Sequence, residues 1–294
     1  YISSPSELKE REKTMSGRLY VVGTPIGNLG DMTYRAVETL KSVDFIAAED
    51  TRVSAKLLNY FGIKKPMVSY HEHNHKYSGE SIIKRIIAGE TCAVITDAGM
   101  PCISDPGEDL VRLCAENGIP TEVVPGPSAL ISALAVSGLD TSRFAFEGFP
   151  SVAKRSRYET LSACAHEERT LIFYEAPHKV IATLNDLLKF FGDRKITLCR
   201  ELTKLHEEII RTTLSEAVNL YSEENPPRGK YVLIVEGYKE EVKPLTCEDA
   251  LAQVSELVAK GMRGADACRE IAKTSGFSKS ELYTMLIGGK DGRK

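Results

Sequence analysis

Thr96-Asp97-Ala98-Gly99-Met100-Pro101-Cys102-Ile103-Ser104-Asp105-Pro106-Gly107 lies between the apolar run 92–95 and the helix-like stretch 108–117. It reads as a loop at the carboxyl end of a buried strand. In an open α/β sheet, ligands sit outside the carboxyl ends of strands, where backbone amides and small residues converge without side-chain bulk. Two carboxylates, two glycines and two prolines in this loop make a stiff, polar rim. A plain strand-to-helix turn uses the same Gly and Pro only to redirect the chain. The flanking sequence decides between the two.

On both sides of the loop, strand-like and helix-like runs alternate. Strands are expected at 19–22, 45–48, 67–70, 92–95 and 122–124, and helices at 33–42, 53–61, 79–88, 108–117 and 128–137. This alternation predicts a mostly parallel sheet covered by helices, an α/β fold. A second series follows, with strands near 144–147, 171–174, 196–200, 208–212 and 231–236 and helices near 157–163, 179–191 and 214–222. After Gly237 the pattern is helical only, at 248–260, 265–274 and 279–287. The expected organisation is a disordered or upstream extension over 1–16, an N-terminal α/β domain over 17–138, a second α/β domain over 139–238 and a helical module over 239–294.

The chain has 42% hydrophobic and 27% charged residues, an ordinary balance for a folded soluble protein. A net charge of −3 argues against nonspecific coating of nucleic acid, which rests on neutralising many phosphates. Any nucleic-acid contact must be local. The seven cysteines are scattered without CxxC pairs, so a reducing cytosol without disulfides is expected. No apolar run approaches the roughly 18 residues that span a bilayer, and a cytoplasmic location is expected.

The polar motifs fall at strand ends. Gly23-Thr24-Pro25-Ile26-Gly27-Asn28-Leu29-Gly30-Asp31 has the spacing of neither a dinucleotide nor a triphosphate loop, yet its glycines permit close backbone approach. In Glu49-Asp50-Thr51-Arg52, a helix cap by Asp50 or Thr51 competes with a role in chemistry. The histidines of His71-Glu72-His73-Asn74-His75 suit a polar loop facing a cleft better than a zinc site, because no cysteine pair stands near them; no metal is expected. Val124-Pro125-Gly126-Pro127-Ser128-Ala129 opens a helix with small residues. Tyr174-Glu175-Ala176-Pro177-His178, Arg200-Glu201-Leu202-Thr203-Lys204 and Arg228-Gly229-Lys230 add polar groups at strand ends of the second half. Together they predict a cleft between the halves.

Read in order, GTPIGNLGDMT, AAEDTR, SYHEHNH, TDAGMPCISDPG, VPGPSAL, FYEAPHK, RELTK and RGKYVLIVEG, spanning about Gly17 to Gly237, resemble the ribosomal RNA small subunit methyltransferase I family of the tetrapyrrole-methylase superfamily. The resemblance implies two α/β domains of that type with a cofactor cleft between them and S-adenosylmethionine as cofactor. It also implies a homodimer and 2′-O-methylation of a cytidine ribose in the decoding region of 16S ribosomal RNA, within the small subunit. Carried over by motif position, Ile26, Asp97, Gly99, Pro101, Ile103, Ser128, Ala129 and Tyr174 are expected to bind the cofactor. Glu175, Lys204, Asp50, Arg52 and Glu201 are expected to serve catalysis. The alternatives are a methyltransferase of a tetrapyrrole or other small molecule, and a non-enzymatic nucleic-acid regulator. For the latter, residues 272–283 have helix-turn-helix-like spacing, but ten Lys and Arg stand against nine Asp and Glu from Lys239 onward.

Overall fold

Strands β1 (Leu19–Val22), β2 (Phe45–Ala48) and β4 (Cys92–Ile95) are four-residue apolar runs whose side chains are almost all buried. Strands with no polar face belong in a parallel sheet covered on both sides. In the computed structural model, which describes residues 17–71, 74–222, 224–240 and 246–288, they join β3 (Met67–Ser69) and β5 (Thr121–Val124) in an all-parallel sheet of order β3-β2-β4-β1-β5. The extension expected over 1–16 lies outside the described residues. Alternate side chains serve opposite faces: Leu19, Phe45 and Cys92 pack with Ile82 and Leu110, whereas Val22, Ile46 and Ala93 pack with Leu40 and Leu58. The covering helices are α1 (Tyr34–Ser42), α2 (Thr51–Tyr60), α3 (His75–Ile87) and α4 (Glu108–Glu116).

The second sheet contains β6 (Phe144–Gly148), β7 (Thr170–Glu175), β8 (Lys195–Arg200), β9 (Glu208–Thr213) and β10 (Tyr231–Val235), in the order β6-β7-β10-β8-β9. Parallel pairing, expected from the alternation, holds throughout the first sheet but here only for β6 with β7. Two connections explain the difference. No helix intervenes between β8 and β9, so the chain folds straight back and they pair antiparallel. The fully buried β10 then inserts between β7 and β8, antiparallel to both.

Helices α6 (Lys154–Ala163), α7 (Val180–Phe191) and α8 (Leu214–Ala217) lie beside this sheet, α8 ending before the expected residue 222. Its other face is covered by α5 (Ala129–Ser137): Ala133 and Leu134 pack on Ile172, Cys199, Val232 and Ile234. The Thr197 hydroxyl donates to the Ser137 carbonyl at 2.9 Å. The boundary expected between 138 and 139 therefore divides α5 from the sheet on which it packs.

The chain divides into two compact units, Tyr1–Tyr238 and Lys239–Lys294. In the second, α9 (Cys247–Ala259), α10 (Gly264–Ser275) and α11 (Lys279–Gly288) enclose Ala250, Val254, Ala267, Cys268, Ile271 and Leu282. A capping box between Thr246 and Asp249 starts α9, and Gly276, at φ +76°, ends α10. Among the described residues, no helix is long and apolar enough to cross a membrane.

Candidate active site

Strands β4, β1 and β5 are neighbours in the first sheet, so the loops leaving their carboxyl ends meet. The meeting is backbone to backbone. A Cβ on Gly23 would stand 2.7 Å from the Gly126 Cα, which explains small residues in both loops. Thr24 and Gly99 exchange both backbone hydrogen bonds, at 2.9 and 3.1 Å, and the Thr24 hydroxyl donates to the Thr96 carbonyl at 3.1 Å. The glycine-rich first loop thus fastens the 96–107 loop in place. Ser128 caps α5 through the Ile131 N–H, and the Tyr174 hydroxyl accepts from the Leu130 N–H at 3.0 Å.

From the second sheet come the loop after β8 and the loop before β10. Glu201 Oε1 accepts from Lys204 Nζ at 2.8 Å and from the Lys230 N–H at 2.9 Å, tying the two loops together. Burial pushes the Glu201 carboxyl up, but the bonds from Lys204 and Lys230 outweigh it and hold it below the usual range. Among the described residues, four other than glycine have positive φ: Cys102 and Ser104 in the 96–107 loop, and Glu201 and Thr203 in the loop after β8. For a β-branched Thr at φ +68° this is a costly conformation, of the kind that surrounding structure must impose. The strain is concentrated in two loops that border one cavity.

That cavity, about 260 Å³, lies between the two sheets. Of the expected cofactor residues, Ile26, Gly99, Ile103, Ser128, Ala129 and Tyr174 line it; of the expected catalytic residues, Glu175, Glu201 and Lys204 do. Glu175 is only 2% exposed, and its oxygens accept from the Thr183 hydroxyl at 2.5 Å and the Ala176 N–H at 2.8 Å. Lys204 lays its stem on Gly27, where a Cβ would meet its Cγ at 2.5 Å.

Four expected residues stand away from the cavity wall. Asp50 caps α2 by accepting from the Arg52 N–H at 2.8 Å, and its carboxylate pairs with the Arg52 guanidinium at 2.7 Å; those bonds hold its carboxyl far below the usual range. Pro101 is buried. Asp97 is exposed, and its N–H donates to Glu49 Oε2 at 3.2 Å.

Beyond the residues expected to bind or act, Ser104 and Asp105 of the 96–107 loop and Lys230 of the Arg228-Gly229-Lys230 motif also line the cavity, as does Phe149, which no motif signalled. A second cavity of about 680 Å³ shares Ser104 and Asp105 with the first and is bordered also by Glu49, His71 and Asp109. His71 borders this second cavity, whose wall comes from the first half alone and not from the cleft expected between the halves; His73 of the same run lies outside the described residues. Burial pushes the Asp105 carboxyl up to about 6, with the Glu49 carboxylate adding to the push and Lys230 opposing it.

Two α/β halves with a cavity between them, walled by glycine-bearing loops on one side and polar strand ends on the other, define a methylase class: the chain belongs to the family of tetrapyrrole (corrin/porphyrin) methylases, whose model matches residues 18–218. The fold is similar to that of uroporphyrin-III C-methyltransferase from Thermus thermophilus in complex with S-adenosylhomocysteine, with a TM-score of 0.53 and 22% identity over 75% of this chain and 97% of that one. Within that class, the chain is similar to ribosomal RNA small subunit methyltransferase I of Synechocystis sp., at 48% identity over 273 residues, 92% of this chain and 98% of the relative. The relative of the same name from Thermotoga maritima is 46% identical over 221 residues, 75% of this chain but 99% of its own length.

Proposed function

We propose that this chain is an S-adenosylmethionine-dependent methyltransferase of small-subunit ribosomal RNA that methylates the ribose 2′-oxygen of a cytidine in 16S RNA. The observation that carries the reading is the cavity between the sheets, to which both halves contribute. Its residues suit the cofactor. Gly99, at φ +92°, presents a bare backbone where a Cβ would meet Ile26 at 3.3 Å. Ile26, Ile103, Ala129 and Val232 supply apolar wall, with Ser128 and Lys204 as polar points. Ile26, Gly99, Ile103, Ser128, Ala129 and Tyr174 would hold S-adenosylmethionine. When bound, it supplies a methyl group already activated by a positive sulfur.

The work left to the chain is largely alignment and charge. Glu201 fixes the Lys204 ammonium at the cavity wall, where it favours negative charge developing on an attacking oxygen. Glu175, tied to Thr183 and Ala176, shapes the floor rather than moving a proton. Arg52, its side chain 87% exposed, is placed to meet phosphate outside the cavity, with Asp50 holding it. Asp97 and Pro101 act on the cofactor through the backbone of the loop they stiffen.

We place the protein in the cytoplasm as a homodimer acting on the assembled small subunit. Seven free cysteines, four of them buried, suit a reducing compartment. The test is incubation of purified protein and labelled S-adenosylmethionine with unmodified small ribosomal subunits, followed by digestion and mass spectrometry of nucleosides. Labelled 2′-O-methylcytidine is the expected product. No incorporation, or label on a base, refutes the reading.

A further inference from the structure

The two cavities meet at one place. Ser104 and Asp105 belong to the walls of both, so a group held in the first and a group held in the second face each other across Asp105. The junction is built rigidly: Cys102 and Ser104 both have positive φ, at +72° and +58°, and a Cβ on Gly107 would meet the Cys102 Sγ at 2.7 Å. Such strain persists where the surroundings over-determine it. The second cavity is walled by Glu49, Glu108 and Asp109, with His71 and Arg112. A mostly acidic wall repels phosphate and suits the uncharged part of a nucleotide, whose hydroxyl and amino groups donate to carboxylates.

Resting on the proposed ribose methylation, we infer that Asp105 is the proton acceptor for the reaction, with the substrate nucleoside entering the second cavity and its ribose hydroxyl reaching the junction. The balance is simple. The hydroxyl O–H bond breaks and its proton goes to a carboxylate oxygen of Asp105; the oxygen pair forms the new bond to the methyl carbon. The carbon–sulfur bond breaks, its electrons leaving with the sulfur as a neutral thioether. Aspartate is suited to this because its carboxyl sits near 6, close enough to neutrality to hold a proton yet ionised at pH 7 and above. The charged groups that face it are Glu49 at the end of β2, Asp97 in its own loop and Lys230 before β10; His71, Glu108, Asp109 and Arg112 border the same cavity. In the sequence Asp105 is one of the two carboxylates of the polar 96–107 loop, with nothing there to single it out from Asp97.

The experiment is single-turnover methylation of small ribosomal subunits from pH 5 to 8.5, with S-adenosylhomocysteine affinity by calorimetry on the same proteins. Wild type is expected to gain rate as pH rises through about 6 and then to level. Asp105→Asn is expected to lose roughly 10²-fold or more in rate and the inflection with it, while binding S-adenosylhomocysteine within a fewfold of wild type. Lys230→Gln, which removes the charge opposing the shift, is expected to move the inflection to higher pH. Carboxyl NMR of the free protein should show Asp105 titrating near 6 in the absence of any substrate. An Asp105→Asn protein with wild-type rate or wild-type inflection overturns the assignment, as does loss of S-adenosylhomocysteine binding, which would make Asp105 a cofactor residue. Should that variant not fold, an inflection unmoved in Lys230→Gln overturns it. A wild type that methylates no subunit refutes the ribose reading itself, a result distinct from all of these.

Discussion

Replacing Gly126 by alanine tests whether the loops after β1 and β5 position the cavity by direct backbone contact. The added Cβ would stand 2.9 Å from the Gly23 Cα and 3.0 Å from both the Gly23 carbonyl carbon and oxygen. All three are backbone atoms, so no side chain can swing aside. Gly23 is itself held, its N–H donating to the Val124 carbonyl at 3.0 Å. Overpacking of this kind costs about 1–3 kcal/mol. For a unit of this size, each kcal/mol moves Tm by about 2–4 °C, so a fall of roughly 2–12 °C is expected. The displaced segment carries Ser128 and Ala129 away from Ile26 and Gly99, and S-adenosylhomocysteine should bind about tenfold more weakly, a loss of about 1.4 kcal/mol. Gly118→Ala is the control: φ is +65° and nothing lies within 4 Å, so it costs roughly 1–2 kcal/mol of backbone strain with no change in binding. Scanning calorimetry and titration calorimetry read both quantities. A Gly126→Ala protein with unchanged Tm and unchanged affinity refutes the contact argument.

Lys204→Ala should lower the single-turnover methylation rate roughly 10²-fold while leaving S-adenosylhomocysteine affinity within a fewfold; equal losses in both would make Lys204 a binding residue instead. Truncation after Tyr238 should leave a folded protein that binds S-adenosylhomocysteine, because the two units have separate cores, and should weaken methylation of subunits through loss of RNA grip. Undiminished methylation would deny the module a role in grip. Asp44 accepts from the Thr91 N–H and hydroxyl, both at 2.7 Å, which hold its carboxyl below the usual range. A carboxyl depressed in the folded state contributes stability above the unfolded value near 4 and loses it as pH falls through the folded one. Asp44→Asn should therefore destabilise at pH 7 and progressively less below pH 4, as read by urea midpoints, and a pH-independent difference would refute this.

The elements of this chain were legible because their signals are local. Short apolar runs such as Cys92–Ile95 and Tyr231–Val235, bounded by turn residues, read as buried strands, and the periodic stretches between them read as helices that lay one face on a sheet. The motif loops were legible for the same reason, and with them most of the cavity wall: Ile26, Gly99, Ser128, Ala129, Tyr174, Glu201 and Lys204 all reach it. What sequence could not decide depends on the order in which strands assemble. The insertion of β10 between β7 and β8 makes the second sheet largely antiparallel and brings Arg228-Gly229-Lys230 beside Glu201. The seating of α5 on the second sheet joins the halves. Asp50 caps α2 and pairs with an outward-facing Arg52 instead of lining the cavity; the cap was one of two readings the sequence left open, and the pairing across it is settled by the folded backbone. Asp105, two residues from Ile103 in the same loop, lies between two cavities in a segment where Cys102 and Ser104 adopt left-handed backbone. Composition and periodicity report which residues are buried; the direction of a loop side chain is settled by long-range contacts that exist only once both sheets have formed.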